Sequence, residues 1–137
     1  MAEPNKDVPK VNVSVRDLAE HTSRDGGLSP HAFNGISSAE GTRLHQRVFD
    51  DLTSSLERDE HLETEMTLSA TYQDKQIHLL VRGRADAVIT SQTQTIILEI
   101  KSWSGDKNSR SMSFCATHWA QVMLYAHMFF DSNPHAE

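Results

Sequence analysis

Two stretches decide how this chain folds: Arg82-Gly83-Arg84-Ala85-Asp86-Ala87-Val88-Ile89 and Thr95-Ile96-Ile97-Leu98-Glu99-Ile100-Lys101. A short polar segment, Ser91 to Gln94, separates them. As the arms of a hairpin turning about Gln92-Thr93, they set Ser91 against Gln94, Ile89 against Ile96 and Asp86 against Glu99. Directly opposed residues have Cβ atoms about 4.5 to 5.5 Å apart, so the two carboxylates would meet. Strand alternation puts Lys101 on the Glu99 face. The other face reads Ala85, Ala87, Ile89, Ile96, Leu98 and Ile100, all apolar, and makes a floor for a core. A one-residue slip would bury the charges, which fixes the register. The turn lacks the Asn-Gly or Asp-Gly of the tightest hairpins, which leaves room for a bulge.

Two adjacent carboxylates repel unless a cation intervenes. A hard divalent ion such as Mg²⁺ or Mn²⁺ resolves the conflict and takes oxygen ligands readily. The Lys101 ammonium could hold a water and offset charge on a phosphate transition state. A metal, an activated water and a cation are the parts that phosphodiester hydrolysis requires. A Glu and a Lys two apart on a strand are, alone, a common surface ion pair. The facing Asp86 and the apolar floor are what raise the pattern above that.

Outward from the hairpin, Met66, Leu68, Ala70 and Tyr72 alternate with Glu65, Thr67 and Ser69 and predict a half-buried strand. Gln73-Asp74-Lys75 turns it into a second strand running from about Gln76 to Ile89. The third strand covers Thr95 to Lys101. A helix is expected from Ser37 to about Leu56, with Ser37 and Glu40 as a capping box and Leu44, Val48, Leu52 and Leu56 as its stripe. A last helix spans about Ala116 to Phe130, with Trp119, Val122, Met123, Ala126 and Phe130 at core spacing. Val11 to Val15 reads as a short extended piece, and Ser14 caps a brief helix through about His21. Ser23 to Pro30 is a loop, and Trp103 to Ser113 is polar and expected to be mobile. The order is helix, three-stranded meander, helix: an α/β (α+β) domain over residues 11–130, a mixed sheet flanked by helices, with flexible ends at 1–10 and 131–137.

Composition sets bounds. At 137 residues the chain suits one domain, and nothing approaches the roughly 18 to 20 apolar residues of a membrane span. Met1 to Lys10 has no apolar run of the signal-peptide kind. One cysteine, Cys115, excludes an internal disulfide and any multi-thiolate metal site. These features point to the cytoplasm. A net charge of −6 counts against affinity from phosphate contacts alone. It suits carboxylates that hold cations, or a domain attached to a partner that grips the substrate.

Other side chains have plain readings. His45, at the edge of the helix stripe, would pack or bond locally, or else supply a metal ligand. Gln121 and Tyr125, four apart, form an ordinary helix pair, or orient Lys101, a phosphate or a base. Arg82 and Arg84 lie on a solvated strand edge or meet a phosphate backbone. Trp119 reads as core, and Trp103 could stack on a base.

Glu40-Gly41-Thr42-Arg43-Leu44-His45, Gly83-Arg84-Ala85-Asp86, Leu98-Glu99-Ile100-Lys101 and Gln121-Val122-Met123-Leu124-Tyr125, in that order, resemble the RecB-like branch of the PD-(D/E)XK nuclease superfamily. With Ser14-Val15-Arg16-Asp17-Leu18 and His118-Trp119-Ala120-Gln121, the pattern looks most like the nuclease domain found ahead of bacterial DinG-like helicases. The resemblance spans about Ser14 to Phe130 and implies a restriction-endonuclease-like core. It implies that His45, Asp86, Glu99 and the Ile100 carbonyl hold Mg²⁺ or Mn²⁺, that Lys101 is catalytic with Asp86 and Glu99, and that Gln121, Tyr125 and Arg84 support the site or DNA. The implied partners are DNA, a helicase or other protein of the same system, and a second copy of the chain. Some relatives carry an iron–sulfur cluster, which a single cysteine does not support. The family core continues into a further strand, and seven residues follow Phe130 here, which leaves three expectations open: a shortened domain, an excised piece of a larger protein, or a chain completed by oligomerisation.

Overall fold

The strand that carries Asp86 is the one on which the rest of the sheet is built. The computed structural model describes residues 8–23, 37–102 and 116–136. In chain order they form β1 (Lys10–Ser14), α1 (Val15–Thr22), α2 (Ser38–Ser55), β2 (His61–Gln73), β3 (His78–Thr90), β4 (Thr95–Leu98) and α3 (Ala116–Ser132). The architecture is the expected mixed sheet with flanking helices. Residues 1–7, 24–36 and 103–115 lie outside the described residues, and with them most of the Ser23 to Pro30 loop, Trp103 and Cys115.

β2 pairs antiparallel with β3 along its whole length, from His61 opposite Thr90 to Gln73 opposite His78. β1 pairs parallel with the first part of β3, ending with Ser14 beside Arg82. β4 pairs antiparallel with the last part, ending with Leu98 beside Ala87. Because β2 fills one edge of β3 throughout, β1 and β4 must share the other. Between them, residues 83–86 have no strand on that edge among the described residues. The meander expected from the sequence therefore gains a fourth strand, and the Val11 to Val15 segment supplies it.

Local chemistry explains the boundaries. Ser14 Oγ accepts the Asp17 N–H at 3.0 Å and starts α1 as soon as β1 ends. Ser37 Oγ does the same for α2, accepting from Glu40 N–H at 3.2 Å. The β2–β3 turn is tied by Asp74, whose Oδ1 accepts from Gln76 and Ile77 N–H groups at 2.7 and 2.8 Å. Ser91 N–H donates to the Gln94 carbonyl at 2.8 Å and closes the β3–β4 turn. The expected register is the observed one, with Ile89 beside Ile96 and Ala87 beside Leu98. β4 nevertheless stops at Leu98, short of the expected Lys101. Past that point the Ile100 N–H donates to the Asp86 carboxylate at 2.7 Å, so a side chain takes a donor the ladder would have used.

The main core joins Val15 of α1, Leu68 and Ala70 of β2, Val81, Ala85 and Val88 of β3, and Tyr125, Met128 and Phe129 of α3. On β3 its members change parity between Ala85 and Val88. Alternation slips there by one, and the opposite strand shows where: the β2–β3 pairs omit Glu65 and Asp86, and Glu65 sits at φ 52°. This corrects the expected floor. Ala85 belongs to the main core, Ala87 and Ile89 are buried outside it, and Val88 and Ile97 turn toward it instead.

The second correction concerns α3. Its buried residues are Gln121, Tyr125, Met128 and Phe129. Trp119 is 55% exposed, Met123 58% and Phe130 37%, where a core stripe was expected. The helix is apolar on nearly every side, so its periodicity does not choose a face. The sheet chooses it. A Cβ on Gly83 would lie 2.7 Å from both the Tyr125 Cε1 and Val15 Cγ2 atoms, so only glycine lets α3 and α1 approach β3 this closely. α3 continues to Ser132, beyond the expected Phe130, and Ala136 packs against the main core. Gly83→Ala should therefore cost about 1–3 kcal/mol by overpacking, read as a lower urea midpoint at unchanged slope. An unaltered midpoint would contradict this contact.

Candidate active site

The site forms where β3 loses its neighbour. Asp86 is the last residue of the unpaired stretch, and it uses its carboxylate in place of a strand. Oδ2 accepts the Ile100 N–H at 2.7 Å, and Oδ1 lies 3.8 Å from His45 Nδ1 on α2. That separation is too long for a hydrogen bond. Two ligands each about 2.1 Å from one divalent ion can stand up to about 4.2 Å apart, so it suits a shared cation. The His45 ring is itself steadied by an edge contact with Phe49, the buried residue of α2, at 6.2 Å between centroids.

Glu99 lies just beyond the end of β4 with its side chain only 8% exposed. Its Oε1 accepts from Lys101 Nζ at 2.5 Å, and its Oε2 is buried with no hydrogen-bond partner among the described residues. Burial pushes its carboxyl above the usual glutamate value of 4.5, the Lys101 contact pulls it down, Asp86 raises it and His45 lowers it. Lys101, Asp86 and His45 thus all act on Glu99. Lys101 remains 40% exposed, so its ammonium can reach a substrate as well as Glu99.

Tyr125 closes the site from the α3 side. Its phenol takes a hydrogen bond from the Arg84 backbone, inside the unpaired stretch of β3, and it feels the charges of Glu99 and Asp86. Burial first, and Glu99 next, raise its ionisation above the usual tyrosine value. Gln121 is buried one turn earlier on the same face. Both side chains are therefore buried on the α3 side of the site. Arg84 points the other way: its side chain is exposed and 3.6 Å from Glu65.

His45, Asp86, Glu99, Ile100, Lys101 and Tyr125 thus come together as the motifs implied. Glu65 is the neighbour that sequence reading missed. The β2–β3 register, had it been derived, would have set it opposite Asp86. As donors, two carboxylates, an imidazole and a backbone carbonyl suit Mg²⁺ or Mn²⁺. The orphaned Glu99 oxygen and the 3.8 Å pair fit the same class of ion. Among the described residues no three His, Cys, Asp or Glu side chains already stand close enough to enclose one, so Glu99 would have to adjust.

The structure is similar to the crystal structure of SSO0001, with a TM-score of 0.55 and 21% sequence identity, over 86% of this chain and 56% of that one. At that identity the likeness speaks for the fold alone. The chain spans little more than half the length of that neighbour. No protein-family model matches the chain, and neither does any curated protein. No helix among the described residues is long and apolar enough to cross a membrane.

Two outcomes follow. With its folded-state pKa raised, Glu99 is neutral in both states below about pH 4.5, and the ion-free protein loses stability as pH climbs through the raised value. Glu99→Gln should remove that loss, giving a higher Tm at pH 7 and a flatter profile between pH 4 and 7; an equal or lower Tm at pH 7 would contradict it. Tyr125→Phe should cost about 1–3 kcal/mol by stranding the Arg84 N–H, measured by denaturant melts.

Proposed function

We propose that this chain is a metal-dependent nuclease domain of the PD-(D/E)XK superfamily, RecB-like branch, that hydrolyses phosphodiester bonds of DNA in repair, recombination or defence. One observation carries the reading: Glu99, nearly buried, keeps one oxygen unpartnered beside Asp86 and His45, while Lys101 caps the other. An unpaired buried carboxylate oxygen costs stability unless something is meant to meet it. The four ordered motifs support the same reading.

His45, Asp86, Glu99 and the Ile100 carbonyl would hold Mg²⁺ or Mn²⁺. Such an ion supplies Lewis-acid polarisation of the phosphodiester and of the attacking water. The chain's own residues do the rest. Asp86 fixes the Ile100 peptide through its N–H and so sets where the Glu99–Lys101 segment leaves the sheet. Lys101, tethered to Glu99, is placed to hold a water or a non-bridging phosphoryl oxygen and to offset charge as the bond to the leaving oxygen breaks. Tyr125 and Gln121 hold the floor rigid from below. The cytoplasm is the compartment this reading implies, with a helicase, another protein of the same system or a second copy as partners.

A second reading, a DNA-binding or assembly module with little catalysis, is favoured by the net charge of −6 and by the absence, among the described residues, of an already closed ligand group. Cleavage of single- and double-stranded DNA with Mg²⁺ or Mn²⁺ separates the two. The nuclease reading expects metal-dependent cleavage that falls about 10²-fold or more in Lys101→Ala, and a Tm that rises with Mn²⁺ in the parent but not in Asp86→Ala. Metal-independent cleavage, or cleavage indifferent to Lys101, would overturn it.

A further inference from the structure

We propose that the part of the sheet face on which Arg82 and Arg84 stand exposed is the path by which one nucleic-acid strand, gripped by its sugar–phosphate backbone, reaches Asp86. The proposal deepens the nuclease reading by naming the substrate form and its route. α1 and α3 pack on the face that holds Val81 and Ala85. The alternate residues of β3, Leu80, Arg82 and Arg84, point to the opposite side. Register adds Thr71, Ser69 and Thr67 of β2 and Asn12 of β1 to the same face. All of these are exposed except Leu80, which is half-buried. Lys10, beside His78, extends the face at its far end.

The chemistry of this face is specific. Arg82 and Arg84 stand in file on β3, with Lys10 on the neighbouring β1 at the far end, and the file runs along the sheet toward Asp86. From His78 to Asp86 the path is about 26 Å at 3.3 Å per residue. The hydroxyls and the Asn12 amide beside it are hydrogen-bonding groups suited to phosphate and sugar. Apart from the half-buried His78 at the far end, no aromatic ring stands among these residues, so the face beside Arg82 and Arg84 offers no platform for stacking bases. Grip without base readout follows. Holding both strands of a duplex across a groove about 12 Å wide needs a second file of cations, and three strands about 4.8 Å apart present only this one. In a chain of net charge −6, cations aligned toward the site are a local charge match that the total conceals.

Glu65 modulates this path. It holds Arg84 at 3.6 Å from its own carboxylate, and its backbone adopts φ 52°, uncommon for a non-glycine residue. A phosphate must compete with it for the guanidinium.

The test measures fluorescence anisotropy of a labelled 20-nucleotide oligo(dT) and a 20-base-pair duplex on the full chain in EDTA, across a salt series. Cleavage plays no part in this readout. The single strand should bind more tightly than the duplex. Arg82→Gln with Arg84→Gln should lower the salt slope by about 1.4 and weaken binding about 25-fold at 0.1 M salt, from two lost phosphate contacts at about 0.7 each. The double Arg→Lys variant should keep the slope, and Glu65→Gln should tighten binding. Arg47→Gln with Arg58→Gln removes the same charge from α2 and the turn after it, and should leave the slope unchanged. Equal losses in both pairs, an unchanged slope in the first, or tighter duplex binding through Arg82 and Arg84 would overturn the proposal. Such a result beside metal-dependent cleavage would leave the nuclease reading standing, and binding as described without cleavage would leave the path and remove the nuclease.

Discussion

Everything in this molecule turns on the interrupted edge of β3. β1 and β4 both pair with that edge and both end before meeting, so residues 83–86 keep backbone groups that no strand among the described residues satisfies. Buried main-chain groups must find partners, and here side chains supply them. Tyr125 meets the Arg84 backbone, and Asp86 takes the Ile100 N–H that β4 would otherwise have used. The interruption also frees the Glu99–Lys101 segment from the ladder, so its side chains need not alternate across a sheet. A site with converging carboxylates is thus the consequence of a sheet that splits.

How far the sequence discloses this can be followed residue by residue. The hairpin register was readable because one face of each arm is apolar and a slip would bury charge. The caps at Ser14 and Ser37 were readable because a short polar side chain before an amphipathic run has one common use. The motif residues came together as the resemblance implied, although β4 was expected to carry Glu99 and Lys101 as paired strand residues and does not. The fourth strand was visible only as an extended piece, because its parallel partner lies more than sixty positions away and leaves no local signature.

Two features could not be read locally. The face that α3 buries is decided by Gly83, through the room it leaves for Tyr125, and not by the helix's own pattern. With apolar residues almost all round, Trp119 and Met123 look as suited to the core as Tyr125 and Met128. The slip of alternation between Ala85 and Val88 is likewise a property of two strands, expressed by Glu65 at φ 52° across from the unpaired Asp86. Period-two reasoning assumes an unbroken pleat, and it fails at the position where chemistry is placed.

The same reasoning reconciles an acidic chain with the anionic substrate proposed for it. Net charge describes attraction at long range, where at physiological salt the Debye length of about 8 Å already screens it. What a strand near the sheet would meet is local: Arg82 and Arg84 exposed on one face, Lys101 partly exposed beside Glu99, and Glu65 drawing on Arg84. The carboxylates of Asp86 and Glu99 add to the net negative charge, yet a divalent cation held there, as proposed, would reverse the sign of the local field. Acidity and nucleic-acid chemistry therefore conflict only if the charge is spread evenly, and on this sheet it is not.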